Sequence, residues 1–172
     1  MKKKYILYML IPIVFIVGII IYTFYALPKG DTVESREELL NNAISGAKEW
    51  SIVKETKIDG YIISCAYSSN GKSTIAVFEP VSEEKHKFST STNRDNEEII
   101  IGGTIINGKW YDLIWFNGVQ TEYAEIIYSV NGETKEPLKY DTSDMDIICI
   151  QNSEKDYSIN VTYYDKDGNK YE

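Results

Sequence analysis

One histidine and two cysteines are all that 172 residues hold of these types. With His86 alone there is no pair of imidazoles to hold a metal, and at most one imidazole base. No Gly-x-Ser-x-Gly elbow offers an acyl nucleophile. No internal repeat and no low-complexity tract interrupts the chain. Charge is missing altogether from Tyr5 to Leu27, and no cysteine follows that run to carry a lipid. Beyond the run, positive charge is scarce. All 26 acidic residues lie there against 15 basic ones, a formal charge of −11. Such a surface repels nucleic acid, anionic lipid and anionic polymer. It suits a neutral or cationic partner, or serves solubility alone.

What is present begins with Lys2, Lys3 and Lys4, followed by the uncharged run. At about 1.5 Å per residue, the 23 positions from 5 to 27 make a helix of roughly 34 Å, enough for a hydrocarbon core. Tyr22 and Tyr25 sit where aromatic rings suit an interface, and the lysines keep the N-terminus inside. No small-x-small cleavage site follows. The reading is a cytoplasmic tail at 1–4, an uncleaved transmembrane signal anchor at 5–27 and a linker at 28–33. An amphipathic helix follows at 34–50, and an extracytoplasmic β domain at 51–172. The plasma membrane is the expected location.

Ser35-Arg36-Glu37-Glu38 has the form of a capping box, and Leu40, Ala43, Ile44 and Ala47 recur at helical spacing. The acidic opposite face directs this helix onto the domain rather than onto lipid. After Ser51 the apolar period becomes two. Strand patterns run over 61–67, 74–78, 98–101 with 104–106, 110–116, 123–130, 146–150 and 157–164. Asn70-Gly71, Asn107-Gly108, Asn117-Gly118, Asn131-Gly132 and Asp167-Gly168 punctuate them as tight turns. About eight short strands after one helix predict a mainly β fold, an antiparallel sandwich or barrel.

A two-residue Asn107-Gly108 loop pairs Ile105 with Trp110, Ile101 with Ile114 and Ile99 with Phe116, leaving Gly103 opposite Asp112. That face is the greasier and reads as core; the face with Tyr111, Leu113 and Trp115 is mixed. Turning the chain about Asn70-Gly71 sets Cys65 against Ala76, Ile63 against Phe78 and Tyr67 against Thr74.

Several residues carry candidate chemistry. Ala66-Tyr-Ser-Ser-Asn-Gly-Lys-Ser73 matches a relaxed phosphate-binding loop, but such a loop must open a helix. Ser73 to Pro80 is β-branched and aromatic, so the stretch reads as a hairpin tip with Lys72 facing solvent, and no nucleotide partner is expected. Asp165, Asp167 and Asn169 resemble the start of a calcium loop, yet Gly168 falls two places early and no Glu closes it. They are a weak ion site or a polar turn. His86, within the charged stretch 83–88, reads as a surface residue. Asp112, on the apolar face, is the one candidate catalytic carboxylate, or a carboxylate hydrogen-bonded in place. Tyr111, Leu113 and Trp115 are a candidate binding platform, or a second core layer.

Cys65 and Cys149 are either a disulfide, worth about 4–5 kcal/mol in the loop-entropy description, or two free buried thiols. The order Cys65, Trp110, Cys149 resembles an immunoglobulin-type sandwich, in which a tryptophan packs on an intersheet bond. The separation of 84 is long for that pattern, and Ile147 stands where tyrosine is common. The functional expectation is a membrane-anchored binding or interaction module for a protein or neutral glycan. It uses no cofactor and no nucleic acid. The alternatives are a surface hydrolase using Asp112, and an accessory subunit of a membrane complex.

Overall fold

The computed structural model describes residues 12–18, 29–47, 49–95, 97, 99–116, 121–144, 147–153 and 156–170. Residues 12–18 are helical. The rest of the apolar 5–27 run, the 1–4 tail and the Asn117-Gly118 turn lie outside the described residues. Among the described residues no helix is long and apolar enough to cross a membrane.

The remainder is mainly β and antiparallel, with one helix, α1 (Val33–Ala43). Strands β1 (Trp50–Ile58), β2 (Tyr61–Ser68), β3 (Lys72–Pro80) and β4 (His86–Asp95) form a four-stranded meander in sequence order. Strands β5 (Ile99–Ile106), β6 (Lys109–Phe116) and β10 (Ile148–Asn152) form a second sheet with β6 in the centre. The third sheet is built on β7 (Tyr123–Val130). It pairs with β11 (Tyr157–Tyr164) on one side, and with β8 (Glu133–Thr134) and β9 (Leu138–Asp141) on the other.

The sheets stack in layers, and strand alternation explains how. Ile63, Cys65, Ile75 and Val77 leave one face of the first sheet to meet Ile100, Tyr111, Leu113 and Trp115 of the second. The even-numbered residues of β6, with Ile148, turn the other way and meet Ala124, Ile126 and Tyr128 of the third sheet. On its outer face the first sheet offers Trp50, Ile62, Ala66, Ala76 and Phe78 to Leu40 and Ile44 of α1. The order is therefore helix, sheet, sheet, sheet. The second sheet is covered on both faces, so both the greasy and the mixed face of its hairpin are core. Gly102 and Gly103 permit this. A Cβ on Gly102 would run into Thr92 of β4, and one on Gly103 into the Trp110 ring.

Three local expectations are corrected. The helix starts at Val33 and ends at Ala43, not 34–50, and its N-cap is Thr32, which accepts from the Ser35 amide at 3.2 Å. Ser35 instead turns its hydroxyl back to accept from the amides of Lys29 and Gly30, at 2.9 and 2.8 Å. Trp50, expected at the end of the helix, opens β1. The β2–β3 register is one residue off the expected one: Cys65 pairs with Ile75, Ile63 with Val77 and Tyr67 with Ser73. Only Gly71 has positive φ there, so the loop is three residues, not a two-residue Asn-Gly turn. At Asn107-Gly108 both residues have positive φ, and the expected pairing of Ile105 with Trp110 is observed.

The chain is locked onto the first sheet as soon as its described part enters the domain. Arg36, 5% exposed, grips Glu55 of β1 with two bonds of 2.8 and 2.6 Å and donates to the Gly30 carbonyl at 2.9 Å. Ser64 of β2 donates to the same carboxylate at 2.5 Å. A fork of this kind satisfies both charges, which is what a buried ion pair requires. The His86 amide donates to the Lys29 carbonyl at 2.9 Å, and Gly30, at φ +63°, lies so close to His86 that no side chain fits.

Candidate functional site

Asp112 is 4% exposed and faces the third sheet from the middle of β6. Four donors converge on its carboxylate. Oδ1 accepts from the Trp110 indole at 2.9 Å and the Tyr157 hydroxyl at 2.5 Å. Oδ2 accepts from the Tyr128 hydroxyl at 2.9 Å and the Asn152 amide at 3.4 Å. The Trp110 N–H also reaches the Tyr157 oxygen at 2.7 Å. A carboxylate offers about four acceptor positions, and all are taken. Burial, and then the bond to Asp112, raises the proton affinity of Tyr128 strongly; the same two causes push Tyr157 up to about 12. The tyrosines are held as neutral donors.

The network ties two sheets together. Tyr128 comes from β7 and Tyr157 from β11, and their rings lie 5.6 Å apart. Asn152, in β10, is the direct partner of Trp110. On the β5 side of Asp112 the Trp110 ring lies over Gly103 and is 39% exposed. On the β10 side an open cleft of about 240 Å³ lies between Tyr128 and Val130, Lys135, Glu136 and Leu138, and Ile150 to Asn152. That is below the roughly 300–1,000 Å³ of sites that enclose a small molecule. It has room for one ring or one side chain, with amides, a lysine and a carboxylate at its edge. On the opposite face of the second sheet the Tyr111 hydroxyl donates to Gln151 at 3.3 Å.

The candidate platform is corrected by the layering. Tyr111, Leu113 and Trp115 are 8%, 2% and 1% exposed, packed against the first sheet. Tyr67 covers Trp115 with ring centroids 5.1 Å apart. The aromatic of β6 that does reach solvent is Trp110, which alternation assigns to the core. The signal available for it was the Gly102-Gly103 pair, which marks a close approach inside a strand.

Cys65 and Cys149 come from facing sheets and share one apolar cluster, but both are free thiols. Burial pushes Cys149 up to about 12 and Cys65 higher still, Cys65 also feeling Cys149. They pack as small apolar groups. Trp110 lies on the opposite face of the second sheet from them, so the immunoglobulin-like Cys–Trp–Cys arrangement is absent; Trp115 holds that place.

Asp165 turns inward on its own loop. Its Oδ1 accepts from the amides of Asp167 and Asn169, at 2.9 and 2.8 Å, and its Oδ2 from the Asn169 side chain at 3.0 Å. Asn169 thus donates where an ion ligand would accept, and these hydrogen bonds lower the Asp165 pKa. Ala66 to Ser73 spans the β2–β3 hairpin; after Lys72 comes a strand, not a helix. Lys72 opens β3, one-third exposed and paired at the surface with the exposed Asp95 of β4 at 3.4 Å. His86 is 6% exposed, not on the surface, with Nε2 at 3.0 Å from the Gly60 carbonyl.

In comparisons with family models, curated proteins and solved structures, none matches this chain.

Proposed function

We propose that the chain is a non-catalytic binding module, carried on the outer face of a plasma membrane by an anchor at 5–27. The observation that carries this reading is the saturation of Asp112. A general acid, base or nucleophile needs a free position facing substrate, and this carboxylate spends every position on Trp110, Tyr128, Tyr157 and Asn152. Its work is to brace the walls of the adjoining cleft. A preorganised cleft with apolar walls and amide edges suits one ring of a neutral glycan, and the acidic domain discourages anionic ligands.

The test is binding of neutral oligosaccharides to the purified domain, read by calorimetry, for the native chain and for Gln151→Ala and Leu138→Ala. Saturable binding that weakens at least tenfold in both variants supports the reading. No binding by any neutral glycan, together with hydrolysis that vanishes in Asp112→Asn, overturns it in favour of the surface hydrolase.

A further inference from the structure

The entry of the chain fixes which end of the domain is nearest its anchor. Pro28 alone separates the apolar run from Lys29, whose carbonyl accepts from the His86 amide, and the Arg36 side chain then bonds Glu55 of β1. His86, which receives it, reaches the Gly60 carbonyl at 3.0 Å. The start of α1, the Asp59-Gly60 turn and the 81–85 loop therefore share one end of the first sheet. The 69–71 hairpin tip is at the other, roughly 27 Å away along the eight residues of β2.

Two contacts carry this axis into the second sheet. Tyr67, near the far end of β2, packs at a tilt against Trp115, near the far end of β6. Gly102, opposite Leu113, meets Thr92, which is level with Ile75 and Cys65 in mid-sheet. Strands β2 and β6 thus run the same way, so Trp110 and the Asn107-Gly108 turn belong to the anchor end. Among the described residues from 29 onward, the exposed large apolar side chains are Val33, Val53, Val81, Ile105, Trp110 and Leu138. Four of these six, Val33, Val81, Ile105 and Trp110, gather at that end.

Resting on the reading of 5–27 as an anchor, we infer that the domain sits directly on the lipid surface through this end. Val33, Val81, Ile105 and Trp110 meet the headgroup boundary, and the 69–71 tip stands farthest out. Tryptophan suits that boundary, its indole N–H here pinned by Asp112 and its ring left open. Glu83 and Glu84, beside Val81, keep the contact at the headgroups and out of the hydrocarbon. The acidic domain has no general attraction to lipid, so the tether supplies the effective concentration.

The full chain is reconstituted in phosphatidylcholine vesicles with acyl chains brominated near the headgroup. Trp50 and Trp115 are 2% and 1% exposed and the anchor contains no tryptophan, so Trp110 is the reporter. The expected result is a loss of emission relative to unbrominated vesicles that Trp110→Phe abolishes. A fluorophore on Val81→Cys is then shielded from a soluble quencher, and one on Ser69→Cys is not. A chain that floats with the vesicles, shows no bromine quenching and leaves both labels equally open overturns the inference while the anchor stands. A chain that fails to float with vesicles removes the anchor, and the inference with it.

Discussion

Asp112 shows what one residue can and cannot reveal in a sequence. Alternation along 110–116 placed a carboxylate on an apolar face, and a group so placed needs partners. The partners were not legible, because Tyr128, Asn152 and Tyr157 lie 16, 40 and 45 positions away on three other strands. Their convergence depends on how the second and third sheets stack. Replacing the carboxylate is expected to destabilise rather than disarm. Asp112→Asn puts an amide donor among four donors and costs about 2–3 kcal/mol, read as a lower urea midpoint at constant slope. An unchanged midpoint contradicts the bracing role. Tyr128→Phe removes one donor and leaves an acceptor open, with a smaller cost of about 1 kcal/mol.

At the scale of elements, sequence pattern succeeded where one face was apolar and the turn chemistry was complete. The β5–β6 hairpin is the clearest case, since both Asn107 and Gly108 take the positive φ that such a turn demands. At Ser69–Gly71 the same dipeptide sits in a longer loop. The Ser68 hydroxyl there donates to Asn70 at 2.8 Å and accepts from the Lys72 amide at 2.9 Å, which moves the register by one. Strands β1 and β4 escaped because they are the edges of their sheet and largely polar outward, with little alternation to read. The Asp59-Gly60 turn, with positive φ at both residues, is the local sequence sign of β1.

Two predictions belong to this scale. Arg36→Ala leaves Glu55 half-buried without its partner and frees the N-terminal segment, at a cost of about 3–5 kcal/mol in the urea midpoint. Gly103→Ala drives a methyl into the Trp110 ring and costs about 1–3 kcal/mol. It also shifts Trp110 emission to the red as the ring lifts off β5. A neutral effect on both readouts contradicts the close approach.

For the whole molecule, three stacked sheets and a helix give three apolar interfaces, two of them sharing the middle sheet. Coarse class was legible, since strand periods and turn dipeptides specify a mainly β chain. The layer count was not, because a hairpin greasy on one face and mixed on the other fits a two-sheet sandwich as well as a buried middle sheet. The buried acids of this interior set a pH dependence. Cys65, Cys149, Tyr128 and Tyr157 all hold their protons more tightly folded than at their ordinary values of 9.0 and 10.0. Their contribution is whole below about pH 9, and it is lost as pH rises through the folded values, about 12 for Cys149 and Tyr157. The melting temperature is therefore expected to fall steadily between pH 9 and 12, with both thiols closed to alkylation until the chain unfolds.

On the proposed reading of 5–27 as an anchor, this layered domain stands outside the membrane, and one thiol tests that placement. Ser69→Cys places one exposed thiol at the hairpin tip, while Cys65 is buried and Cys149 half-buried in the core. A membrane-impermeant maleimide applied to intact cells expressing this full-length variant is predicted to label it as fully as after lysis, and to leave the parent chain unlabelled. Labelling that appears only on lysis contradicts the account.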